Sequence, residues 1–245
     1  MLLWSIMLSL CLSFACASAG KVEKIVGAQD AYLMRGQEKI TISTDMELKE
    51  GDEVFSSNAY VVLLLHPASQ LSMNKQSQMK ITKSEIDESQ PVVKATSIVD
   101  LIKGLIRVMV TKQEGQEVEQ QVTSSITNVA FAVRGTEFEV SLDDEGADLD
   151  VIEGEVEVSS PLVQTFVPEI VKANEGFKFS KRQKKFMRRK MAVRFKHHPG
   201  FLNKGEMKER WKKRHERRAE KMKDRKNQNK DRREEKAQRR ENRSR

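Results

Sequence analysis

Five carboxylates crowd one short stretch of the chain: Asp143, Asp144, Glu145, Asp148 and Asp150. Oxygen ligands at that density can hold calcium, but their spacing departs from the EF-hand loop. A polar turn is expected there in any case, so they read first as the tip of a hairpin. The four histidines offer less. His66 stands alone, while His197, His198 and His215 lie among lysines and arginines that disfavour a bound cation. The pair His197 and His198 reads as solvated linker ahead of Pro199 and Gly200. Both cysteines, Cys11 and Cys16, fall within the first twenty residues. No phosphate loop, nucleophile elbow or zinc-binding helix pattern is present. The expectation is a protein without catalytic residues, metal, cofactor or small-molecule substrate.

The elements that would position these side chains are strands. Runs such as "KITIS", "AYVVLLL", "LIRVMV", "FEVSL" and "EVEVSS" recur at short spacing between clusters of Gly, Asp, Asn and Ser. That pattern predicts an all-β fold, a compact antiparallel sandwich, jelly roll or solenoid. "TSIVDLIKGLI" is ambiguous and could hold a helical turn. In "AFAVRGTEFEV" the apolar side chains change parity, Phe131 and Val133 being odd, Phe138, Val140 and Leu142 even. Side chains alternate faces along a strand, so a corner or bulge at Arg134 and Gly135 must absorb one residue. A second flip occurs at Gly154, between Val151 and Val156. Between them "FEVSL-DDEGA-DLDVI" predicts a hairpin. Glu137, Glu139, Asp148, Asp150, Glu153, Glu155 and Glu157 share the outward parity and predict one acidic sheet face. That face is solvated, or receives a basic partner such as the protein's own tail.

Charge divides the 245 residues sharply. Residues 1–180 hold 15 Lys and Arg against 27 Asp and Glu, net −12; residues 181–245 hold 29 against 9, net +20. Such asymmetry marks a tail that meets something anionic. The opening "MLLWSIMLSLCLSFACASAG" has no charged side chain, and Ala17-Ser18-Ala19 fits a signal-peptidase site. Residues 1–19 are therefore expected to be a cleaved signal peptide, an uncut anchor and a lipoprotein acylated at Cys16 being the alternatives. Cutting after Ala19 removes both cysteines. The tail is expected over 181–245. Met187, Met191 and Phe195 fall at helical spacing among cations, for a basic amphipathic helix on an anionic surface or an apolar stripe docked on the β body. Beyond about residue 204 the chain is nearly all charged and polar, a solvated helical rod or a disordered arm. Basic arms bind nucleic acid, but no stacking aromatics beyond Trp211 accompany this one. In an exported protein the polyanions at hand are envelope ones.

Several motifs together resemble the FecR domain, a periplasmic module. "VRGTEFEV" followed by "VIEGEVEV" carries the resemblance best, through Arg134, Gly135, Thr136, Phe138, Gly154 and Val156. Upstream, "LKEGDEVFSSNAYVVLLL" resembles the family's turn at Gly51 and Asp52, and "LIKGLIRVMV" its strand glycine at Gly104. "VKANEGFKFS", with Gly176, resembles its closing turn. "HPAS" at 66–69 departs from the family's usual Asp-Gly-Ser turn. The apolar segment begins at Leu2, so the expectation is that the cytoplasmic sigma-factor-binding role of iron-signalling relatives is not carried over. The resemblance implies an all-β module over 22–180 that works by binding outside the cytoplasm, with those residues as framework. Lys184, Lys185, Arg188 and Arg189 are then the candidates for contact with an anionic envelope surface. The alternative is a regulatory module that contacts a membrane receptor or sensor; a nucleic-acid-binding protein is a third reading.

Overall fold

The structure is a computed structural model that describes residues 18–27, 30–65, 69–87, 92–111, 116–133, 135–160, 167–183, 185–192 and 209. The chain divides into two units, residues 1–200 and 201–245; of the second only Glu209 is described. The first unit is built from strands. In chain order they are β1 (Ser18–Gly27), β2 (Tyr32–Arg35), β3 (Glu38–Thr41), β4 (Glu47–Lys49), β5 (Glu53–Phe55) and β6 (Ala59–Leu65). There follow β7 (Ser69–Met73), β8 (Gln78–Asp87), β9 (Val93–Val110), β10 (Gln116–Ser124), β11 (Val129–Val133) and β12 (Glu137–Leu142). The series closes with β13 (Gly146–Glu153), β14 (Glu155–Ser159), β15 (Glu169–Lys172), β16 (Glu175–Ser180) and β17 (Lys185–Lys190).

One strand organises the rest. β9 runs for 18 residues and belongs to two leaves at once. Its last residues lie in a front leaf ordered β4-β1-β6-β7-β9-β12-β13-β16-β17. Its first half lies in a back leaf ordered β3-β2-β5-β8-β9-β10-β11-β14-β15. All neighbours are antiparallel except β9 and β10. The bend falls at Gly104, where a side chain would meet the Ser77 backbone at 2.5 Å. Leu33, Met79, Val99 and Phe131 of the back leaf and Val22, Leu63, Val108 and Phe138 of the front leaf belong to one buried cluster. The expected all-β, antiparallel fold is thus a two-leaved one, and the ambiguous segment around Leu101 is strand.

The parity flips mark the places where the chain changes leaf. β11 lies in the back leaf and β12 in the front; β13 lies in the front and β14 in the back. Gly135 and Gly154 make these two crossings with φ of 74° and 83°, a conformation that costs a residue with a Cβ about 1 kcal/mol or more. The corners touch: a Cβ on Gly154 would lie 3.0 Å from Thr136 Oγ1, and that hydroxyl donates to the Glu155 carbonyl at 2.9 Å. Thr136 is buried, so its hydroxyl needs that partner. The turn of the predicted hairpin is closed by Asp143, whose Oδ1 accepts from the N–H groups of Glu145 and Gly146.

Other expectations need correction. Strands occur on both sides of the expected 22–180, β1 from Ser18 and β17 over Lys185–Lys190. Residues 185–190, expected in a helix, are an edge strand. The free edge of β16 offers a complete ladder, and Phe186 stacks against Phe177 and Phe179 with ring centroids 5.3 and 4.7 Å away. Gly176 lies inside β16 rather than in a turn, which is made instead at Ala173 and Asn174, the latter with φ of 68°. No helix among the described residues is long and apolar enough to cross a membrane.

Candidate functional site

The outer face of the front leaf carries the most unusual chemistry. Register places Val62, Ser72, Arg107, Glu139, Asp150, Gly176 and Arg189 in one row across seven strands. A parallel row runs Leu64, Gln70, Met109, Glu137. These positions alternate with the core residues and should be wet. Instead Val62, Gln70 and Ser72 are 0% exposed, Met109 1% and Glu139 2%. The side-chain amide of Gln70 and the hydroxyl of Ser72 have no hydrogen-bond partner among the described residues, where an unmet buried polar group costs about 1–3 kcal/mol.

Charges on this face are paired. Arg107 Nε donates to Glu137 Oε1 at 2.9 Å, and its Nη1 lies 3.8 Å from Glu139 Oε1. Arg189 reaches from β17 over β16 to β13. Its Nη1 and Nη2 bond the two oxygens of Asp150 at 2.7 and 2.8 Å, and its Nε lies 3.3 Å from Asp148 Oδ1. The hydrogen bond to Asp150 holds the guanidinium pKa above its ordinary value, against the opposing effect of burial. The reach is possible because residue 176 is glycine: a Cβ there would sit 2.7 Å from Arg189 Nη1 and 2.9 Å from Asp150 Oδ1. Asp150 Oδ1 also accepts the Ala192 N–H at 2.9 Å, which ties the residues just after β17 to the same carboxylate.

The expected acidic face is therefore corrected in two respects. Glu155 and Glu157 belong to β14 in the back leaf, away from Glu137, Glu139, Asp148 and Asp150. And Glu139, Asp148 and Asp150 are buried and ion-paired rather than solvated. The possible calcium cluster is dispersed. Asp148 and Asp150 face Arg189, Asp143 caps its turn, and no group of three metal-ligating side chains occurs among the described residues.

Of the residues expected to touch an anionic surface, Lys185 is exposed and Lys184 lies outside the described residues. Arg188 is turned to carboxylates of its own body, Glu169 at 3.0 Å and Glu175 at 3.2 Å. The framework residues are distributed as supports. Asp52, 0% exposed, takes both Nε and Nη2 of Arg35 at 2.8 and 2.7 Å and the Lys49 N–H at 2.8 Å. That carboxylate ties the turn at Gly51 to β2. Phe138 and Val156 are in the core. Arg134, His66, His197, His198 and His215 lie outside the described residues.

Sequence reasoning missed Arg35, Arg107, Gln70, Ser72 and Met109. One signal was available: "AYVVLLL" is apolar at both parities, the mark of a strand buried on both faces.

The described residues thus form a two-leaved, all-β body with glycine crossings and buried ion pairs. Residues 52–157 match the family described as FecR protein. No curated protein matches the chain. Two crystal structures of a candidate anti-sigma factor from Parabacteroides distasonis are similar to it, each at 16% identity and a TM-score of 0.44, covering 58% of this chain. The chain spans 60% of the length of those structures.

Proposed function

We propose that this is an exported, non-enzymatic FecR-domain protein that works by binding, its β body acting as a scaffold and its basic tail meeting an anionic surface of the cell envelope. The observation that carries the reading is the charge division. The body binds Arg188 and Arg189 itself, whereas residues 201–245 alone hold 20 Lys and Arg against 9 Asp and Glu. Phosphates and carboxylates of envelope lipids or polymers are the partners such an arm fits. Lys185, exposed on the edge strand β17, adds to it, with Lys184 beside it in the sequence.

Reversal of charge at Lys212, Lys213, Arg217 and Arg218 tests this without touching the body. The variant should be lost from the envelope fraction of gently lysed cells while staying folded. Undiminished retention would refute the arm's role. In the same fractions, mass spectrometry of the mature N-terminus tests export, and an intact Met1 in the cytoplasm would overturn it.

The FecR match favours a second reading, a regulatory module whose body contacts a membrane receptor or sensor. A defined protein that co-purifies with the body after deletion of residues 201–245 would favour it over the first.

A further inference from the structure

The start of β1 is built into the body rather than appended to it. Ser18 pairs with Lys49 of β4, and Gly20 lies between Leu48 of β4 and Leu65 of β6. The ladder with β4 shifts register between Ser18 and Gly20, and Ala19 falls at that irregularity. A bulge of this kind re-aims the side chain it carries. Here the Ala19 methyl is 0% exposed and belongs to the core cluster with Val22, Leu48 and Leu65. Ser18 holds the bulge from its N-terminal side, its hydroxyl donating to the Gly20 carbonyl at 3.1 Å. Packing is as close on the other side, where a Cβ on Gly20 would collide with the Leu64 carbonyl oxygen. Of the three residues Ser18 is half-buried, while Ala19 and Gly20 are buried.

This arrangement bears on where a leader can be removed. A cut after Ala19, the site expected from Ala17-Ser18-Ala19, discards the bulge and deprives Lys49 of its partner. It also puts a new ammonium at buried Gly20, where desolvation opposes the charge. Two residues earlier the chain reads Ala15-Cys16-Ala17, which has the same small-x-small form. We infer that the leader is removed between Ala17 and Ser18, so that the mature chain keeps the bulge and carries its ammonium on half-buried Ser18. The inference rests on the export reading and deepens it. It makes residues 1–17 the leader, with both cysteines inside it. Once β1 is paired with β4 and β6, the bond between Ala19 and Gly20 lies within the sheet, and later trimming stops short of it.

Intact mass and N-terminal sequencing test it, on the full chain expressed with its own leader and recovered from the envelope fraction. A chain that begins at Ser18 is expected. One that begins at Gly20, or at an acylated Cys16, overturns the inferred cut and leaves export standing. An intact Met1 in the cytoplasm removes the export reading and the cut together. Ala15→Phe supplies a second test. It enlarges the third residue before the inferred cut, keeps the leader apolar, and is absent from the mature chain whichever of the two bonds is cut. The yield of chain beginning at Ser18 should fall at least tenfold, with uncut chain accumulating in the membrane fraction. An unchanged yield refutes the inference.

Discussion

Arg189 grips Asp150 with two hydrogen bonds across the full width of the strand between them, through the space left by the missing side chain of Gly176. An ion pair between β17 and β13, two strands apart, is thus governed by a third residue that carries no charge. It joins the edge strand to the body more firmly than the ladder with β16 alone.

The substitution Gly176→Val should therefore sever the pair by filling its path. The expected loss is about 2–4 kcal/mol, because Asp150 is left buried without its cation. Asp150→Asn should cost a similar amount, and the double variant little more than either. Urea denaturation of the four proteins checks this; additive losses would mean that Gly176 serves some other purpose.

Asp52 presents a second buried carboxylate with one arginine. Asp52→Ala takes the carboxylate from Arg35, which keeps the Glu47 carbonyl, and leaves the Lys49 N–H without its acceptor, at an expected cost of about 2–3 kcal/mol. Arg35→Met retains much of the side chain's apolar contact but still strands Asp52, and should destabilise to a comparable degree. Thermal unfolding of both variants decides whether the pair is structural.

Gly104→Ala should be among the most damaging single changes. The new methyl would meet the Ser77 backbone at 2.5 Å and be held at φ of 94°, and a loss above about 3 kcal/mol is expected. Gly36→Ala is the comparison, with φ of 65° and nothing within 4 Å, and should cost only about 1 kcal/mol. Equal losses in the two would show that conformation alone, not the close approach to Ser77, sets the cost.

The first strand bears on processing. β1 starts at Ser18, Ala19 is 0% exposed, and Gly20 is buried between Leu48 and Leu65. A chain that begins at Gly20 loses the Ala19 methyl from the core and places an ammonium at a buried position. It should be less stable than a chain that begins at Ser18 by about 1–2 kcal/mol. Parallel denaturation of the two purified forms measures the difference.

Much of this architecture is legible in the residues, and the rest is hidden for definite reasons. The flips at Gly135 and Gly154 locate two leaf crossings because alternation obeys a strict period of two. Parity separates inside from outside but does not say which leaf a strand joins. Glu139 and Glu157 therefore look like neighbours although they lie in different leaves. "FMRRKM" fits helical and strand periodicity alike, and only the open edge of β16 decides between them. The clasp of Arg189 on Asp150 joins residues far apart in sequence through a glycine that motif matching places in a turn.

The strand shared by both leaves also determines how the molecule can assemble. β9 pairs with β7 and β12 in one leaf and with β8 and β10 in the other, so neither leaf is complete until residue 110 has arrived. Its contacts join distant segments, a topology that folds slowly, and β9 is the seam at which both leaves meet. Under the export proposed above, that delay would suit a chain crossing a membrane unfolded, since the four strands that residues 18–87 give to each leaf meet the rest of the body only through β9.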